Sequence, residues 1–127
     1  MRKVAVLAFA VMAVAGFTAT AARADDEAAE GKKIFNRVCN ACHTDQAGGP
    51  KKLGPSLFGV VGRKAGTIEG FRYSDANKKS GVTWTPEELD KYLKDPKAVV
   101  PGTTMAFAGL KKDDDRKDVI AYLQTLK

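Results

Sequence analysis

Cys39-Asn40-Ala41-Cys42-His43 is the stretch that decides how this chain reads. It contains the only two cysteines, and His43 is the only histidine. Two thiols in an exported chain can pair as a disulfide. A two-residue gap makes a tight loop, however, more typical of redox or metal sites. A thioredoxin-like site needs a surrounding βαβ pattern, and the flanking sequence offers none. Zinc needs further Cys or His ligands, and none are left. Cys-x-x-Cys-His is instead the pattern at which haem is attached. Thiols one short turn apart can form thioethers with the two vinyl groups, and the next residue turns its imidazole towards the iron. A covalently tied group cannot be lost to the surrounding fluid, and the sequential link sets where the ligand stands.

The second iron ligand follows by elimination. Met105 is the only methionine outside the N-terminal segment that holds Met1 and Met12. It sits in Pro101-Gly102-Thr103-Thr104-Met105, a loop-like stretch between helical segments. A lone Met is commonly core filler, and a lysine is the alternative ligand. The Pro-Gly context points to a positioned loop and so to Met105. A thioether sulfur favours ferrous iron and raises the reduction potential. With both axial positions filled, oxygen and peroxide have no open site. The pattern therefore suits electron transfer rather than catalysis on a bound substrate.

Outward from this centre, residues 1–24 read as a secretory signal peptide and residues 25–127 as one domain. Arg2 and Lys3 open the chain, Val4 to Phe17 is apolar or small, and Ala22-Arg23-Ala24 is a small-x-small cleavage signal before Asp25. No charge interrupts residues 4–22, so an uncleaved membrane anchor is the competing reading. The Ala-rich content, Gly16 and the cleavage site favour removal and a periplasmic address. Cleavage removes three basic residues and no acidic one, taking the net charge from +6 to +3. With no dense Lys/Arg tract, nucleic acid is not an expected partner. A domain of this size makes only a modest core, which a large apolar ligand would complete.

The rest of the chain reads as helices joined by long loops. Gly31 to Val38 looks helical, with Ile34, Phe35 and Val38 on one stripe and a start near Asp26. From Thr44 to Gly70, glycine and proline punctuate the chain into turns. Wrapping a flat prosthetic group is a good reason for so long an irregular segment. Ser74 caps a short helix to Lys79. Thr85-Pro86-Glu87-Glu88 is a strong helix start, with Leu89, Tyr92 and Leu93 on the apolar face. Asp95-Pro96 ends that helix and opens a short turn. Asp113 begins the last helix, whose buried stripe is Val119, Ile120, Leu123 and Leu126. No run alternates well enough for a sheet, so the fold class is all-α. Packing the first helix on the last would close the domain, with Gly31 as the close-approach point opposite Tyr122.

Taken in order, Cys39 to His43, Gly54-Pro55-Ser56-Leu57-Phe58-Gly59, Gly62-Arg63-Lys64, Tyr73 to Asn77, Trp84, Tyr92-Leu93, Pro101 to Met105 and Ile120 to Leu123 resemble the class I soluble c-type cytochromes. The likeness is strongest to their mitochondrial-like bacterial subgroup and covers Glu30 to Thr125. It implies a small cytochrome c fold of helices and long loops wrapped around one covalently bound haem c. It also implies that the Pro55 carbonyl accepts the His43 N–H. Arg63, Tyr73 and Trp84 resemble the residues that hold the haem propionates. Asn77, Tyr92 and Thr103 resemble the polar group beside the Met ligand, and Phe107 the aromatic that shields the haem edge. Lys33, Lys52, Lys97, Lys111 and Lys112 match basic positions that ring this edge and face membrane redox complexes. Val38 and Thr104 stand where many relatives have lysines, so the ring is thinner here.

The expectation is a monomeric periplasmic one-electron carrier, not an enzyme. It would run from a cytochrome bc complex to a terminal oxidase, a photosynthetic reaction centre or a reductase. A dedicated electron-accepting subunit of a periplasmic dehydrogenase is the alternative. A haem peroxidase or gas sensor is a third reading, and it needs Met105 off the iron.

Overall fold

The computed structural model describes residues 18–127. The apolar part of the expected signal peptide, residues 1–17, lies outside the described residues. The described elements are α1 (Thr18–Ile34), a π-helical turn (Phe35–Cys39), α2 (Asp75–Lys79), α3 (Pro86–Lys94), α4 (Pro96–Val99) and α5 (Asp113–Thr125). Among them there is no strand; an isolated bridge joins Lys64 to Thr83. The all-α class is borne out. The first helix differs from expectation in two ways. It is already helical at Thr18, the first described residue, because Ala-rich sequence around the expected cleavage site propagates a helix well. It also loosens into a π turn just before the cysteines.

Local chemistry accounts for the other helix ends. Ser74 and Thr85 each accept, through the side-chain oxygen, the N–H three residues on, capping α2 and α3. Asp95 does the same for α4, with Pro96 at its first position. In α5 no side chain caps the start. There Arg116, only 3% exposed, organises the turn. Its guanidinium donates to Asp90 at 2.7 Å, Asp113 at 2.5 Å and the Leu110 carbonyl at 2.9 Å. This ties α5 to α3 and to the preceding loop.

The domain closes where α1 crosses α5. A Cβ on Gly31 would run into the Asp118 carbonyl and reach 2.8 Å from the Tyr122 Cβ. Only glycine permits this approach. Just past it, Phe35 is fully buried, and its ring meets Tyr122 edge-on at 5.6 Å. Burying such a ring stabilises the fold by about 1.5–3 kcal/mol. Val119, Ile120 and Leu123 extend the same core. Across the molecule, Gly62 N–H meets the Trp84 carbonyl, Trp84 N–H meets Arg63, and Ala65 N–H meets Val82. These bonds dock the loop region onto the segment before α3. Beside this layer lies the cavity, closed by the π turn, the long loop, α3 and the segment from Thr103 to Phe107.

Candidate haem pocket

The cavity measures about 400 Å³ and its wall is largely apolar. All eleven site residues singled out from the sequence line it: Cys39, Cys42, His43, Pro55, Arg63, Tyr73, Asn77, Trp84, Tyr92, Thr103 and Met105. They come from the π turn and the residues just after it, the long loop, α2, the segment before α3, α3 itself and the loop before α5, so only the folded chain brings them together.

The attachment turn is held by backbone geometry. Asn40 N–H donates to the Phe35 carbonyl at 2.9 Å, five residues back. Cys42 and His43 N–H then share the Cys39 carbonyl, at 3.1 and 2.9 Å. A π turn widens the helix at functional positions, and here it delivers both thiols to the cavity. They are not joined as a disulfide. Burial in the apolar wall raises the Cys39 thiol to about 11.

His43 Nδ1 lies 2.7 Å from the Pro55 carbonyl. A carbonyl only accepts, so Nδ1 carries the proton and Nε2 keeps its lone pair. Burial pushes the imidazole pKa down, which favours the neutral ring a metal ligand needs. Gly54 packs flat on that ring. A Cβ there would collide with Cε1 and Nδ1, and Gly54 N–H holds the Cys42 carbonyl at 2.7 Å.

The Met105 segment is held differently. Met105 N–H reaches the Thr103 hydroxyl at 3.3 Å, and the Tyr92 hydroxyl reaches the Met105 sulfur at 3.7 Å. Tyr92 also stacks obliquely on Trp84, ring centres 4.6 Å apart. Arg63 donates to the Ser56 and Phe58 carbonyls at 2.8 and 3.0 Å, bracing the loop it lines. The Tyr73 hydroxyl accepts from Ile68 N–H. The Asn77 side-chain oxygen is buried without a partner in the cavity wall.

These features fit a haem. The cavity is apolar, two thiols and an imidazole with a free Nε2 line it, and a thioether stands in the same wall. The orphaned amide of Asn77 awaits a polar group there. A bare ion has no such provision, because no cluster of three His, Cys, Asp or Glu side chains occurs among the described residues.

Positions that sequence reasoning did not assign to the site also stand in or behind this wall. Gly54 and Arg72 line the cavity. Leu53 also lines it and is 86% exposed. Lys52, expected in the docking ring, donates from its ammonium to carbonyls of the attachment turn. The Gly-Pro pair eleven residues past His43 was the available signal for Gly54. Arg72 and Leu53 carried none.

The sequence profile of the family described as Cytochrome c matches residues 28–127. The chain belongs to the cytochrome c family. Cytochrome c2 of Rhodopila globiformis is 52% identical over 98 residues, covering 77% of this chain and 92% of that protein. Cytochrome c2 of Blastochloris viridis is 48% identical over 124 residues, covering 98% of this chain and 93% of that protein. A cytochrome c of Trypanosoma brucei brucei is 62% identical over 80 residues, 63% of this chain and 86% of that protein. Membership makes the chain an electron carrier rather than an enzyme, and its cofactor one covalently attached haem c, for which Cys39 and Cys42 supply the attachment motif. Among the described residues no helix is long and apolar enough to cross a membrane.

Proposed function

We propose that this cytochrome is exported, loses residues 1–24, and works in the periplasm as a monomeric one-electron shuttle whose iron is held by His43 Nε2 and Met105 Sδ. The observation that carries this reading is the shared cavity wall, in which an oriented neutral imidazole and a lone thioether join the two thiols. When bound, haem c supplies the one-electron couple. The chain does the rest. Pro55 holds the His43 proton on Nδ1. The Tyr92 hydroxyl and Thr103 steady Met105. Arg63, Tyr73 and Trp84 receive the propionates, Asn77 adds a polar contact, and Phe107 shields the edge.

Docking uses Lys33, Lys97, Lys111 and Lys112, all exposed, against acidic surfaces of membrane redox complexes. Val38 and Thr104 line the cavity where further lysines would stand, which thins the positive ring. The donor is a cytochrome bc complex; the acceptor is a terminal oxidase, a photosynthetic reaction centre or a reductase.

A reduced-minus-oxidised spectrum with potentiometric titration tests the ligation. The expected result is a high-potential couple, the red-region charge-transfer band of sulfur on ferric iron, and no carbon monoxide binding. Ready carbon monoxide binding replaces this reading with a sensor or peroxidase. Stopped-flow reduction by an isolated bc complex tests the shuttle. Catalytic rates that fall with salt support it, and a native mass of a larger complex assigns the chain to a dehydrogenase instead. Mass spectrometry of periplasmic protein checks for a mature start at Asp25.

A further inference from the structure

Lys52 differs from the other lysines of the expected docking ring. Its Nζ lies 2.5 Å from the Asn40 carbonyl, 3.0 Å from the Asn40 side-chain oxygen and 3.1 Å from the His43 carbonyl. Three short donor contacts use all three N–H bonds of an ammonium. Asn40 is the residue that ends the π turn, where carbonyls lack intrahelical partners and the backbone dipole presents partial negative charge. A cation placed there satisfies both needs. The other carbonyls around it are already engaged: Cys39 by Cys42 and His43 N–H, and Cys42 by Gly54 N–H.

We propose that Lys52 is a positioning residue for electron transfer: it clamps the attachment turn from behind and sets a fixed positive charge against the backbone of the proximal ligand. This deepens the reading of His43 as an iron ligand and rests on it. Two consequences follow. The clamp limits motion of the turn that carries Cys42 and His43. The charge disfavours the ferric state, which is one unit more positive than the ferrous. Lys52 is then not a docking lysine, because a partner's carboxylate would have to compete with three intramolecular acceptors.

The test uses the haem-loaded protein in four forms: wild type, Lys52→Met, Lys52→Arg and Lys51→Met. Lys51 is exposed and its loss removes the same charge one residue away. Lys52→Met is expected to shift the oxidised-to-reduced ratio at fixed poise about threefold towards oxidised, roughly half of the 59 mV that a tenfold change represents. Amide exchange at Cys42, His43 and Gly54 should speed up in the same variant. Lys52→Arg should retain most of both properties, and Lys51→Met should leave exchange unchanged and move the potential less. The salt dependence of reduction by an anionic donor should stay at the wild-type slope in Lys52→Met. Equal potential shifts in the two Met variants, or a loss in Lys52→Met confined to the salt slope, overturns the proposal. The red-region band of the wild type separates the two readings. Without the band the His43–Met105 ligation fails, while the exchange data still judge the clamp.

Discussion

The two sides of the pocket are built to different standards. On the His43 side the contacts are short and many: Pro55 carbonyl to Nδ1 at 2.7 Å, Gly54 N–H to Cys42 at 2.7 Å, Leu57 N–H to Thr44 at 2.8 Å. On the Met105 side the backbone bonds are somewhat longer, 3.0 Å from Phe107 N–H to Met105 and from Thr103 N–H to Val100, and the side-chain contacts longer still, 3.3 Å from Thr103 and 3.7 Å from Tyr92. Pro101, Gly102, Thr104, Ala106 and Ala108 are exposed, so the segment is anchored chiefly at its ends. At the far end Leu110 N–H holds the Leu93 carbonyl at 2.7 Å. Local opening follows contact density. The lesson is that the covalent side is also the rigid side, while the sulfur is delivered by a strap. Substitutions on the two sides should therefore differ in kind.

Two glycines give the largest contrast. Gly54→Ala drives a methyl into the His43 ring, with no flexible neighbour to yield. Overpacking of this sort costs about 3 kcal/mol, and the holoprotein should lose its native spectrum. Gly102→Ala meets only the Ala76 methyl, at 3.3 Å, but holds a left-handed φ of +87°. Its cost is about 1–2 kcal/mol, and the spectrum should survive. Denaturant melts of both, read at the haem band, check the ranking. Equal losses would erase the distinction between the sides.

Between these two in size comes the tie from α5 to the His43 side. The Tyr122 hydroxyl donates to the Asp45 carboxylate at 2.6 Å, two residues past His43. Removing it as Tyr122→Phe should cost about 2 kcal/mol, since the acceptor is charged. Burial first, and then Asp45, raises the phenol to about 12. The folded state thus holds this proton more tightly than the unfolded chain, where a phenol loses it near pH 10.0. The contribution is complete below pH 10 and drains away as the pH rises towards about 12. Wild type should therefore lose stability across that window more steeply than Tyr122→Phe, as urea midpoints at several alkaline pH values would reveal.

Helix starts were readable because each uses local chemistry. Ser74 and Thr85 cap, Pro86 follows, and Asp113 leads an acidic first turn, whereas Asp95-Pro96, expected to open only a short turn, starts the four-residue α4. The Gly31 crossing was readable too, since a glycine amid an amphipathic stripe asks for a close neighbour. The π turn was not. One shifted hydrogen bond at Phe35 leaves the apolar spacing of Ile34, Phe35 and Val38 unchanged, so periodicity cannot register it. Within the site, residue types that carry haem chemistry announced themselves through the motif and the family likeness. Contacts made by side chain to distant backbone did not: Arg63 to the Ser56 and Phe58 carbonyls, Lys52 to Asn40 and His43. A carbonyl is present at every residue, so no sequence pattern marks which one a guanidinium or ammonium will choose.

The smallest effect belongs to the strap and sharpens the contrast most. Tyr92→Phe removes one hydroxyl, whose contact with the Met105 sulfur at 3.7 Å is long. Sulfur is a weak acceptor, so the stability change should be no more than about 1 kcal/mol. The electronic effect has a definite sign. A donor on the sulfur withdraws lone-pair density and makes it a poorer partner for ferric iron. With Met105 on the iron as proposed, loss of the hydroxyl lets the sulfur donate more strongly, the ferric state gains, and the potential falls. A strap held by Tyr92 mechanically would instead open more often in the variant, with faster amide exchange over Thr103 to Phe107 and new carbon monoxide binding. A lower potential with unchanged exchange assigns Tyr92 to tuning and leaves the ends of the segment, Val100 and Leu110, as what holds Met105 in place.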